Sequence, residues 1–103
     1  MTEFDLTAFT AAIQDRSQSW ESEGTNWELT LGPARDKSAA WVTCENTHTA
    51  AQLTVWTSGE AELDVASLIT GAGTSTHYEF ADRQDLEACL DDLTEHLNTP
   101  PHP

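Results

Sequence analysis

Five short segments of alternating apolar and polar residues follow one another between residues 27 and 80, and they constrain the fold more than any other feature. The alternation predicts β-strands, because successive side chains of a strand point to opposite faces of its sheet. The predicted strands span residues 27–31, 38–45, 51–57, 60–66 and 74–80. Turn residues fill the connections, among them Gly32-Pro33 through Lys37 and Ser58-Gly59. Since every connection is short, neighbouring strands are expected to pair antiparallel, as a meander.

A helix is predicted on each side of the strand region. Leu6, Phe9 and Ile13 share one helical stripe within residues 2–19, and Trp20 extends that stripe if the helix continues. Residues 15–24 are predicted to be a polar exit from this helix. The second helix has Asp82 as its predicted N-cap, and its apolar positions recur at helical spacing as Leu86, Leu90, Leu93 and Leu97.

These elements predict one α+β domain over residues 1–97, followed by a disordered tail over 98–103 that contains three prolines. Each terminal helix must bury its apolar stripe, and the sheet offers the surface on which to do so. The expected architecture is a two-layer sandwich, in which a five-stranded antiparallel meander carries both helices on one face. The other face of the sheet is then left uncovered.

Cross-strand pairing divides the strand residues between these two faces. Pairing Trp41 with Trp56 sets Val42 opposite Val55, and the next hairpin sets Leu53 opposite Val65. A slip of one residue would bury several acids, which is costly. The helix-packed face is predicted to contain Ala40, Val42, Cys44, Ala51, Leu53, Val55, Ala61, Leu63 and Val65. The uncovered face carries the candidate partner-binding residues Trp41, Glu45, Trp56, Glu60, Glu62, Asp64, His77 and Glu79.

An exposed aromatic pair bordered by acids is typical of a protein-binding site, and tryptophan is a favoured anchor at interfaces. Two other interpretations remain open at this point. The Trp41 and Trp56 rings could simply stack and shield the sheet backbone. Alternatively, one of the two rings could belong to the core.

The charge of the chain favours a basic partner. The 18 acids outweigh four cations, Arg16, Arg35, Lys37 and Arg83, and give a formal net charge of −14. Such a field repels nucleic acids and anionic membranes and attracts basic proteins. An acidic host proteome would explain the same charge without any partner. Because no long apolar run or signal-like N-terminus is present, a cytoplasmic location is expected.

The residues of metal, phosphate and nucleophile sites do not occur in usable patterns. Cys44 and Cys89 are too few and too far apart for a disulfide framework or a zinc site, and they are predicted to be buried thiols. Residues 57–60 lack the glycine spacing of a nucleophile elbow, and residues 71–75 lack the lysine of a phosphate loop. No metal-ligand spacing links these cysteines to His48, His77, His96 or His102. We therefore expect no catalytic residue, metal or cofactor.

A resemblance to a known family rests on the tryptophans and the hairpin between them. The carriers are Trp27, Trp41-Val42, the segment LTVWTSGEAEL at 53–63, and HYE at 77–79 ahead of a leucine-rich helix. Over residues 20–97 this arrangement resembles TriTu, a family of immunity proteins of bacterial polymorphic toxins. Its most specific part is the hairpin Trp-x-Ser-Gly-Glu-x-x-Leu, which begins at Trp56.

The resemblance implies a non-enzymatic protein that is encoded beside a toxin, binds the folded toxin domain and blocks it. A one-to-one complex with a monomer is expected, and the negative charge suits a basic toxin such as a nuclease. A small acidic secretion chaperone, dimeric and bound to an unfolded effector segment, is the alternative. A small enzyme or ligand-binding domain is a third interpretation, which requires a deep pocket lined by Trp41, Trp56 and His77.

Overall fold

The computed structural model describes residues 4–32 and 38–98. In chain order the elements are α1 (Leu6–Ser22), β1 (Asn26–Leu31), β2 (Ala39–Glu45), β3 (Thr49–Trp56), β4 (Glu60–Ser67), β5 (Gly73–Glu79) and α2 (Arg83–Asn98). The strands form one antiparallel sheet in the order β1-β2-β3-β4-β5, and both helices pack on one of its faces. The predicted α+β meander is thus confirmed. The turn residues 33–37 and the tail residues 99–103 lie outside the described residues.

Helix α1 continues through residues 15–22, where a polar exit was predicted, so that prediction was wrong. This part of the helix is stabilised because Trp20 lies on the buried stripe of α1. Its Nε1–H donates a hydrogen bond to Thr94 Oγ1 in α2, at 3.1 Å. The helix ends where Gly24 adopts a φ of +85°, and the Thr25 N–H then reaches back to the Trp20 carbonyl, at 2.9 Å. This is the glycine-terminated ending common to helix C-termini.

Helix α2 begins and packs as its sequence predicts. The Asp82 carboxylate accepts the Asp85 N–H at 3.1 Å, and the Asp85 carboxylate accepts the Ala81 N–H at 2.8 Å. The bond from the Asp85 N–H satisfies a donor that the first turn leaves without a helical partner, and the bond from the Ala81 N–H ties the preceding residue to the helix. The predicted stripe is fully buried, and it consists of Leu86, Leu90, Leu93 and Leu97.

The core lies between the helices and the inner face of the sheet. Phe9, Ile13 and Trp20 of α1 and the leucines of α2 pack against the inner residues of the central strands. The nine residues predicted for this face are all found in the core or packed against it. Cys44 and Cys89 are among the buried residues, and both are free thiols as expected.

The strand register differs from the predicted one by two residues in each of the two central hairpins. Trp41 lies opposite Thr54, and Trp56 lies opposite Ala39. In the next hairpin Leu53 lies opposite Leu63, where Val65 was predicted. The position of the turn fixes the register of a hairpin, and the centre of each turn lies one residue earlier in the chain than assumed. Because a shift of two residues preserves the side-chain alternation, every residue keeps its predicted face.

We call the face opposite the helices the outer face. It comprises the outward side chains of the five strands, at positions 26, 28 and 30 of β1, 39, 41, 43 and 45 of β2, 50, 52, 54 and 56 of β3, 60, 62, 64 and 66 of β4, and 73, 75, 77 and 79 of β5. Over residues 4–32 and 38–98, no helix is long and apolar enough to cross a bilayer.

Candidate functional site

The hairpin from Trp56 to Glu60 joins β3 to β4 at one end of the outer face. The Gly59 N–H donates to the Trp56 carbonyl at 2.9 Å, and Gly59 itself has a φ of +93°. This is the arrangement of a three-residue hairpin loop, in which a turn is followed by a glycine in the left-handed region. The Gly59 carbonyl then accepts the Phe80 N–H at 2.7 Å, which ties the loop to the segment between β5 and α2. The hairpin motif therefore sets the position of Trp56 and Glu60.

All eight predicted partner-binding residues occupy outer-face positions. β2 contributes Trp41 and Glu45, and β3 contributes Trp56. The remaining residues come from β4 and β5, and they are Glu60, Glu62, Asp64, His77 and Glu79. The sheet thus brings together on one surface residues that lie up to 38 positions apart, counted from Trp41 to Glu79 (79 − 41).

The two outer-face tryptophans are diagonal neighbours, not the directly opposed pair that was predicted. Trp56 lies two residues beyond Thr54, the residue opposite Trp41. Such diagonal positions are about 7–8 Å apart, within reach of aromatic side chains. Both rings are half-buried on the outer face, so the interpretation that one of them belongs to the core is wrong. The tryptophan of the core is Trp20.

The Trp41 ring also covers backbone at the end of β1. A Cβ atom placed on Gly32 would lie 3.2 Å from Cζ3 of Trp41 and 2.8 Å from the Ala39 carbonyl oxygen. Gly32 thus leaves room for the indole beside the end of the strand. Shielding of the sheet backbone, one of the interpretations left open by the sequence, is therefore a real part of what Trp41 does.

Acids dominate the electrostatics of the outer face. It carries Glu28, Glu45, Glu60, Glu62, Asp64 and Glu79. Glu60 lies directly opposite Glu79, and Glu62 lies opposite His77. Within the described part of the chain, the two arginines both belong to the helices. Arg16 contacts Glu87 at 3.3 Å and Asp91 at 2.9 Å, and Arg83 contacts Asp15 at 3.5 Å.

A concavity of about 750 Å³ lies at the end of the outer face away from Trp56. Its floor is the cross-strand row Ala50, Ala66 and Gly73, whose small side chains leave space above the twisted sheet. Its acids are Glu28, Glu45 and Asp64. Only Glu45 and Asp64 of the predicted site line this concavity. Trp41, Trp56 and His77 do not line it, so this concavity is not the pocket that the enzyme interpretation requires.

Sequence reasoning missed this concavity and the exposed apolar residues beside it. Leu68 and Ile69, in the connection between β4 and β5, are 51% and 67% exposed. The sequence did contain a signal for the exposed residues, because two adjacent large apolar side chains cannot both point to the inner face of a sheet. The row of small residues could be found only with the correct register of both hairpins.

The strongest nucleophiles of the described chain are protonated at neutral pH. Burial raises the pKa of Cys44 to about 12. Burial, with the nearby charge of Asp92, raises the pKa of Cys89 to about 12. The pKa of Tyr78 is likewise raised to about 12, first by burial and then by Cys89 and the hydrogen-bonded Asp92. Among the residues described, no three His, Cys, Asp or Glu side chains converge on a position for a metal ion.

The sequence profile described as "Immunity protein TriTu" matches residues 7–96, which span nearly the whole fold from α1 to α2. The chain belongs to the TriTu immunity protein family. No curated protein matches the sequence. In this TriTu protein, the hairpin that carried the resemblance forms one end of the outer face, and the structure accounts for its glycine through the φ of Gly59. The TriTu profile and the resemblance drawn from the tryptophans therefore agree.

Proposed function

We propose that this TriTu protein is a non-enzymatic inhibitor that binds one folded, basic toxin domain through the outer face of its sheet. The observation that carries the proposal is the composition of the outer face, which holds no lysine or arginine among the described residues. The helices hold the two described arginines in ion pairs, while the outer face presents six acids and two half-buried indoles. We assign the protein to the cytoplasm, where it would meet a toxin domain made in the same cell.

The two residue types have different roles in this proposal. Trp41 and Trp56 supply apolar contact area with few rotatable bonds, the property that makes tryptophan common among the residues that dominate binding energy. The acids mainly accelerate encounter with a basic domain and fix its orientation, because exposed charges affect association rate more than affinity. We therefore expect the association rate constant to fall steeply as the salt concentration rises.

Co-expression with the neighbouring toxin tests the function itself. The probe is the C-terminal domain of the protein encoded by the gene adjacent to this one. We expect co-expression of the TriTu protein to restore growth of cells that make this domain, and the two purified proteins to form a one-to-one complex. Continued growth arrest together with the absence of a complex would contradict the proposal.

A tryptophan substitution tests whether the outer face makes the contact. We expect Trp56→Ala to weaken binding by at least about 2 kcal/mol, roughly 30-fold, as is typical of a central anchor. The matched control is Leu31→Ala, which removes an apolar side chain that is 63% exposed and belongs to the inner face. Calorimetric titration of both variants, after their folding is verified by circular dichroism, gives the comparison. Unchanged affinity of Trp56→Ala would exclude Trp56 and its end of the outer face from the toxin contact.

Light scattering separates this proposal from the chaperone alternative. An immunity protein of this kind is a monomer when free and binds the folded toxin domain. A secretion chaperone is instead a dimer when free and binds an unfolded segment of its effector. The molar mass of the free protein, together with binding to native and to urea-unfolded toxin domain, distinguishes the two.

A further inference from the structure

Two large apolar side chains are displayed to solvent at the connection between β4 and β5. Leu68 and Ile69 are 51% and 67% exposed, and we call these two residues the β4–β5 tip. Leu31 is the other exposed large apolar residue of the described chain, and it lies at the opposite end of the sheet. Neither residue of the tip contributes to the core. Adjacent exposed apolar residues bordered by polar groups are a common mark of an interaction surface.

The backbone that carries the tip is held by hydrogen bonds. The Ser67 hydroxyl accepts the N–H groups of Ile69 and Thr70, at 3.2 and 3.1 Å. The Leu68 N–H donates to the His48 carbonyl at 2.9 Å, which ties the loop to the neighbouring β2–β3 turn. Little conformational entropy is then lost when a partner contacts the tip, and a preorganised contact of this kind favours affinity.

The tip connects the two strand ends that line the concavity of the outer face. Ala66 and Gly73, two of the three residues of its floor, are paired immediately before and after the connection that contains the tip. Glu45 lies at the same end of the sheet, opposite Ala50 of that floor. Asp64 lines the concavity one outward position away from Ala66. An apolar contact and a cluster of acids thus lie at the same end of the sheet.

We propose that the β4–β5 tip and the concavity form one docking surface for a basic segment of the toxin domain. Apolar surface of the partner packs on Leu68 and Ile69, while an arginine or lysine side chain enters the concavity. Its aliphatic stem lies over the small floor residues, and its charged head reaches Glu45 or Asp64. A volume of about 750 Å³ is large enough for more than one such side chain.

This proposal rests on the proposed function only for the identity of the partner. It moves part of the interface to the end of the outer face that is remote from Trp56. Ala50 and Trp56 are six residues apart on β3, or about 20 Å along an extended strand. A standard interface buries about 800 Å² per partner, so one toxin domain can cover both ends.

A titration without any toxin tests where a basic segment binds. The probe is a tetra-arginine peptide capped at both ends, added to the isotopically labelled protein at low salt and followed by nuclear magnetic resonance. A chain with a net charge of −14 attracts this peptide somewhere, so the readout is the location. We expect the largest shifts at residues 45, 64–66 and 73, reduced at least threefold in Glu45→Gln/Asp64→Asn. Larger shifts on α2 or around Glu79 overturn the proposal.

A second measurement uses the toxin domain and separates this proposal from the proposed function. We expect Leu68→Ser/Ile69→Ser to weaken toxin binding at least tenfold, and the control Leu31→Ser to change it less than twofold. If the toxin binds and the tip variant binds equally well, the docking surface is refuted while the immunity function stands. If no toxin binds the native protein, the proposed function fails, and the peptide titration still decides where a basic segment docks.

Discussion

Substitution of Gly59 by alanine tests how the hairpin motif determines the structure of the outer face. Gly59 has a φ of +93°, a conformation that costs an L-residue about 1–2 kcal/mol. A Cβ atom at this position would also lie 2.7 Å from the Phe80 carbonyl oxygen, closer than real Cβ contacts. That oxygen is backbone, so it cannot move as a flexible side chain would.

The expected loss of stability combines these two effects. Relief of the contact must displace Phe80, and this strains the hydrogen bond from the Phe80 N–H to the Gly59 carbonyl, now 2.7 Å long. A backbone hydrogen bond contributes about 1 kcal/mol net. The left-handed conformation and the weakened bond together predict a loss of about 2–3 kcal/mol for Gly59→Ala.

The matched control is Gly71→Ala. Gly71 also has a positive φ, +79°, but a Cβ atom there would meet nothing within 4 Å. Gly71→Ala should therefore lose only the conformational part, about 1–2 kcal/mol. Urea unfolding followed by tryptophan fluorescence measures both variants. Equal losses in the two variants would refute the argument that the close approach of Phe80 requires glycine at position 59.

Two further predictions concern stability. Cys44 and Cys89 have folded-state pKa values of about 12, raised from 9.0, so folding favours the protonated thiols. Their contribution is complete below about pH 9 and is lost as the pH rises towards 12. Urea midpoints should fall between pH 9 and 11, less so in Cys44→Ala/Cys89→Ala; a flat profile in the native protein would contradict this. Asn46→Ala removes hydrogen bonds to the His48 and Thr49 N–H groups and to the Leu97 carbonyl. Urea unfolding should show a free energy of unfolding that is lower by about 2 kcal/mol. A loss below about 0.5 kcal/mol would show that water replaces these bonds.

The faces of the sheet were predictable from the sequence because they depend only on the two-residue period of a strand. Apolar alternation placed Val42, Leu53 and Leu63 inside and Trp41 and Trp56 outside, and an error of two residues in register left these assignments intact. The stripe of leucines in α2 was equally clear, since one spacing fits all four of them.

Properties that depend on turn geometry could not be obtained in the same way. Register follows from the hydrogen bonds of Asn46 and from the φ of Gly59, which the residue types allow but do not determine. The diagonal placement of the indoles and the row of small residues below the concavity both depend on that register. The length of α1 was misjudged because the polar residues before Trp20 resemble a loop until Trp20 is known to be buried.

The proposal that the toxin binds the outer face can be tested most directly by two charge reversals of equal size. Asp64→Lys places the new charge in the concavity of the outer face, whereas Glu95→Lys places it on the exposed side of α2. Both variants change the net charge by the same amount, so general electrostatic attraction to a basic domain is altered equally. The measurement is the dissociation constant for the toxin domain by calorimetry. We expect Asp64→Lys to weaken binding at least about 30-fold and Glu95→Lys to weaken it less than about threefold. Equal effects, or a larger effect of Glu95→Lys, would contradict the assignment of the outer face as the toxin-binding surface.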